Sequence, residues 1–67
     1  MDKNQKLNRL QAKAIAHGFS VERDGNVISI GKAGFSYMFR TDIDDTQLSI
    51  LIQNSESFID DLVIMGK

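Results

Sequence analysis

The spacing of hydrophobic residues along this chain changes period twice, from helical to two-residue alternation and back. Over residues 4–16, Leu7, Leu10 and Ala14 recur at i, i+3 and i+7 with Ile15 beside them, one apolar stripe at helical period. Alanines at 12, 14 and 16 favour a helix, and no glycine or proline interrupts it. Gly18 stands where a left-handed residue can end the helix, with Lys13 and His17 near the negative end of its dipole.

From Phe19 the pattern becomes binary. Phe19, Val21 and Arg23 alternate with Ser20 and Glu22, and Asp24-Gly25-Asn26 is a tight-turn signal because glycine readily takes positive φ. A two-residue loop at Asp24-Gly25 predicts Val21 opposite Ile28 and Phe19 opposite Ile30, with Ser20, Glu22, Val27 and Ser29 on the other face. A second loop at Ala33-Gly34 sets Ile30 against Tyr37 and Ile28 against Phe39. Phe35, Tyr37 and Phe39 then extend the apolar face, and Ser36, Met38 and Arg40 point outside. The result is a three-stranded antiparallel meander with one oily face for the first helix to cover.

In the last third, Thr41-Asp42-Ile43-Asp44 resembles a capping box with Asp in place of Glu, followed by the helical stripe Leu48, Leu51 and Ile52. Leu48, Ile50 and Ile52 also alternate, so a fourth strand over residues 46–53 is the rival reading. Asn54-Ser55-Glu56-Ser57 interrupts the apolar pattern. Phe58, Ile59, Leu62 and Val63 then make a final stripe ending at Gly66. The expected architecture is α+β: an N-terminal helix packed on a three-stranded antiparallel meander, followed by one long or two short C-terminal helices. This order resembles the layout of double-stranded-RNA-binding domains. That family opens its final helix with a cluster of phosphate-gripping lysines, and here Asp42, Asp44 and Asp45 occupy the place.

Composition narrows the class. The chain has 67 residues, 42% apolar and 25% charged, which is globular usage, and it is short enough to form one domain over 1–67. It contains no cysteine, so disulfides and thiolate metal sites are excluded. The polar start Met-Asp-Lys-Asn-Gln-Lys does not read as a signal peptide, and Met1 to Lys67 reads as a whole gene product. Ile50 to Ile52 and Leu62 to Met65 are far too short to cross a bilayer. The expectation is a soluble cytoplasmic protein with no membrane partner, of the size of a bacterial or phage accessory or regulatory protein.

No motif supplies catalytic chemistry. His17 is the one histidine, at a helix end, with no nucleophile-and-base context around it. Gly31-Lys32-Ala33-Gly34 departs from a phosphate-binding loop, because Gly25 lies one residue too far away and Ala33 replaces the required hydroxyl. Asp42, Asp44 and Thr46 suggest a calcium loop, but Gln47 stands where glycine is needed and Gln53 where the bidentate Glu belongs. Adjacent acids at Asp44-Asp45 and Asp60-Asp61 diverge on a helix. The expectation is therefore no enzyme activity, no catalytic residues, no cofactor, no metal and no small-molecule substrate.

Two binding roles remain. Phe58, Ile59, Leu62, Val63, Ile64 and Met65 give the last helix a wide apolar face, and Val27 and Met38 lie on the sheet face away from the core. Such surplus marks an interface with a protein partner or a second copy, and this is the favoured reading. The alternative is weak nucleic-acid binding by Lys6, Arg9 and Lys13, which share a helix face placed opposite the apolar stripe, with Arg23 and Arg40 as outlying candidates. Charge bears on both roles. Residues 1–40 carry a net of +4 and residues 41–67 a net of −5, for a total of −1. The simplest account of that asymmetry is that the two halves lie side by side and neutralise each other.

Overall fold

The computed structural model describes residues 2–67. It shows α1 (Lys3–Ala16), β1 (Ser20–Asp24), β2 (Val27–Lys32), β3 (Phe35–Arg40) and α2 (Asp45–Ile64), the α-β-β-β-α order. The strands form one antiparallel sheet in the order β1-β2-β3.

Both ends of α1 are closed by local chemistry. The Asp2 carboxylate accepts from the Gln5 backbone N–H at 2.8 Å, and the Gln5 side chain accepts from the Asp2 N–H at 3.4 Å, a reciprocal capping box. At the other end Gly18 takes φ +82. Its N–H donates to the Ile15 carbonyl and the Phe19 N–H to the Ala14 carbonyl, both at 2.9 Å. This paired closure satisfies two of the last carbonyls and delivers Phe19, 4% exposed, into the core.

The first hairpin differs from the expected register. The turn is Gly25-Asn26, not Asp24-Gly25, so Val21 opposes Ile30 and Arg23 opposes Ile28. The shift is two residues, which keeps every side chain on its expected face. Gly25 has φ +60 and sits first in the loop, where such turns place glycine. The second hairpin follows the expected register, with Ile30 opposite Tyr37 and Ile28 opposite Phe39. Its turn holds Ala33 at φ +56 and Gly34 at φ +83; alanine in the left-handed region costs roughly 1–2 kcal/mol.

Residues 45–64 form one unbroken helix, and the segment 46–53 is part of it. Its N-cap is Asp44, whose carboxylate accepts from the Gln47 N–H at 2.8 Å. The expected cap at Thr41 is displaced because Thr41 still belongs to the hairpin: its N–H donates to the Asn26 carbonyl at 2.7 Å and its hydroxyl to the same oxygen at 3.2 Å. The buried stripe of α2 is Leu48, Ile52, Ser55, Ile59 and Leu62, a regular alternation of four- and three-residue steps. Ser55 is fully buried within it, and its hydroxyl donates to the Leu51 carbonyl at 2.9 Å. Asn54-Ser55-Glu56-Ser57 therefore does not break the helix. Its one inward position is filled by a small residue that satisfies itself.

Leu7, Leu10 and Ala14 of α1, Ile28, Ile30 and Phe39 of the sheet, and the apolar members of the α2 stripe form one core cluster. α1 lies against β1 and α2 against β3. The helices run parallel: Lys3 Nζ donates to the Ile43 carbonyl at 3.0 Å, Lys6 Nζ to Ser49 Oγ at 2.9 Å, and Lys13 Nζ meets Asp60 at 3.1 Å. By strand alternation the second face of the sheet presents Ser20, Glu22, Val27, Ser29, Ser36 and Met38, away from both helices.

Candidate protein-interaction surface

The six apolar candidates of the last helix separate by position. Ile59 and Leu62, 0% and 2% exposed, belong to the core and are not available to a partner. Phe58 is half-buried, edge-on to Phe19 at 6.0 Å between ring centroids and tilted on Tyr37 at 5.8 Å. The physical reason is the continuity of α2: one straight stripe must face the sheet along its whole length, and these residues extend it. Val63, Ile64 and Met65 remain exposed, Ile64 by 82%.

The basic candidates of α1 lie elsewhere than expected. They flank the core stripe and border α2 instead of lying opposite that stripe. Lys6 is bonded to Ser49, and Lys13 lies 3.1 Å from Asp60 and 3.7 Å from Glu56. Arg9 lines a shallow crevice of about 170 Å³ between the helices with Lys6, Ile52 and Glu56. Part of the charge asymmetry between the two halves of the chain is thus taken up internally, across the α1–α2 seam. These ion pairs are about half exposed, so each contributes roughly 0–1 kcal/mol. Arg40 is held by Asp42 through two bonds, at 2.9 and 2.6 Å. The side-chain bond, more than charge alone, holds the Asp42 carboxyl below the usual aspartate range.

A groove opens along β3. The strand contributes Met38, Phe39 and Arg40, and α2 contributes Gln47, Ile50 and Leu51. Ile43, in the connecting segment, also lines it, and the space is about 520 Å³. Met38 is 63% and Ile50 54% exposed, while Phe39 is buried and Leu51 half-buried. The groove therefore has an apolar floor continuous with the core and apolar lips in solvent. Met65 falls on the same side of α2 as Gln47, Leu51 and Phe58, at four- and seven-residue steps, and extends this side toward the helix C terminus.

Sequence reasoning placed Met38 outside the core but did not assemble this groove. The available signal was the run Ile50-Leu51-Ile52. Consecutive helical residues are about 100° apart, so a single inward stripe cannot absorb all three. Ile52 goes inward, Leu51 sits at the border and Ile50 is left in solvent.

Among the described residues, no three His, Cys, Asp or Glu side chains group so as to hold a metal ion, and no helix is long and apolar enough to cross a membrane. Compared with known proteins, the chain matches no family model, no curated protein and no solved structure.

Proposed function

We propose that this chain is a small non-enzymatic accessory or regulatory protein that acts by binding another polypeptide. The observation that supports the reading is the groove between β3 and α2, where Met38, Ile43, Ile50 and Leu51 form a contiguous apolar surface. Exposed apolar surface backed by a well-packed core is what a protein interface offers before it is covered. The single cation lining the groove, Arg40, is matched by Asp42, so the surface favours apolar contact over phosphate capture. Lys6 and Lys13, two of the three α1 residues on which nucleic-acid binding would rest alongside Arg9, have partners on α2.

The test compares tagged wild type with an Ile50→Asp variant, both shown to be folded by circular dichroism, in pull-downs from nuclease-treated lysate. The expected result is a protein partner retained by wild type and lost from Ile50→Asp. A partner held equally by both, or bound material that vanishes with nuclease, overturns the reading.

A further inference from the structure

We infer that the groove is the seat of a fourth β-strand supplied by a partner protein, an extended and uncharged segment with apolar residues at alternate positions. The inference rests on the binding role proposed above and names the chemistry of the partner.

Its first support is where the groove lies. Met38, Phe39 and Arg40 are consecutive strand residues whose side chains alternate between the two faces, yet all three line one space. Only a space at the strand's open edge can be bordered by both faces at once.

The second support is hydrogen-bond phase. The Ala33-Gly34 turn pairs Lys32 with Phe35, and in an antiparallel ladder alternate residues bond to the neighbouring strand. The odd-numbered residues of β3 take that role toward β2, and the ladder continues at Thr41, whose N–H reaches the Asn26 carbonyl at 2.7 Å. The backbone groups of Ser36, Met38 and Arg40 therefore point away from β2 at the open edge, and Met38 and Arg40 line the groove there. They form the row of donors and acceptors that a new strand requires.

The third support is width. Two packed helices span about 20 Å at the usual 8–10 Å separation. Three strands spaced about 4.8 Å apart cover only about 14 Å. The sheet is short of its helical layer by roughly one strand, and the uncovered helix surface is the Gln47, Ile50 and Leu51 side of α2.

Charge and area select the occupant. β1, the other edge, carries Glu22, Arg23 and Asp24, whereas β3 carries only Arg40, already neutralised by Asp42. An uncharged segment is the complement of such an edge. A second copy pairing through its own β3 would bring its own α2 into a gap one strand wide. A six-residue strand is about 20 Å long, and a strip of that size falls short of the roughly 1,200 Å² typical of stable dimers. The slot thus suits reversible capture of one extended segment.

The probe is a displayed library of short random peptides panned against the folded chain, with the enriched peptide then synthesised. Alternating apolar sequences are expected. On binding, hydrogen exchange should slow at the N–H groups of Ser36, Met38 and Arg40, while those of Phe35, Tyr37 and Phe39 are already protected. Met38→Pro removes an outward-facing N–H and leaves the bonds to β2 in place, so it should weaken binding by about tenfold or more. If Met38→Pro misfolds, Ile50→Lys with the same exchange readout replaces it. No enrichment, helical spacing in the enriched peptides, or protection elsewhere overturns the inference. If a lysate partner depends on Ile50 but ignores the folded Met38→Pro variant, the strand inference fails and the binding role stands. A dimer in sedimentation that Met38→Pro abolishes would replace the partner strand with a second copy.

Discussion

On the side of α2 that faces α1, polar side chains find partners: Ser49 takes Lys6, and Glu56 and Asp60 take Lys13. On the side that overhangs β3, Gln47, Ile50 and Leu51 border open space. The edges below repeat the contrast. β1 runs Ser-Val-Glu-Arg-Asp, with charges of the kind that discourage a stray strand, and β3 runs Phe-Ser-Tyr-Met-Phe-Arg, with almost none. The same helix is closed along one flank and open along the other. A chain this small has little stability to spare, so an apolar flank left open is more simply read as a binding surface than as unfinished packing.

The contrast makes graded claims. Substitution in the stripe between the flanks should have the largest effect: Leu62→Ala leaves a cavity in the core and should lower stability by about 2–5 kcal/mol. Urea unfolding would measure it, and a value below about 1 kcal/mol would mean that the stripe does not anchor α2. A smaller effect belongs to the closed flank. A double-mutant cycle on Lys13 and Asp60 should give a coupling of roughly 0.2–1 kcal/mol that shrinks as salt is raised. Zero coupling at low salt would remove the claim that this flank is electrostatically matched. The smallest change belongs to the open flank, where Ile50→Lys should alter folding stability by no more than about 0.5 kcal/mol. A clear loss of thermal stability in that variant would show that Ile50 serves the fold, and the two flanks would then be alike.

The meander was legible because two independent signals agreed, side-chain alternation and turn residues. They agreed most fully at Ala33-Gly34, where the register is as expected. At Asp24-Gly25-Asn26 the triplet offers two loops of the same parity, and alternation cannot distinguish them because a shift of two preserves both faces. The loop that forms is Gly25-Asn26, which puts Gly25, at φ +60, in the first loop position where such a turn needs it. The continuity of α2 was hidden by Ser55, a polar residue in an apolar stripe, tolerated because its hydroxyl finds the Leu51 carbonyl one turn back.

The candidate site was legible only in fragments. Surplus apolar residues could be counted along α2, but which of them the sheet would use depended on a straight 20-residue helix that pattern alone left open. Lys6, Arg9 and Lys13 formed a row on α1, yet their spacing could not show that Ser49, Glu56 and Asp60 would lie alongside. The β3 groove needed both elements at once, one for its floor and one for its overhang.

The parallel course of the helices also fixes how the molecule would carry load. Asp2 and Asp44 mark one end, and Gly18 and Gly66 the other, so residues 2 and 67 sit at opposite ends of a body 33 Å long. Tension between them would run along the helix axes and place the α1–α2 seam in shear. Lys3, Lys6 and Lys13 are strung along that line of pull, so their contacts would be strained together instead of parting one after another.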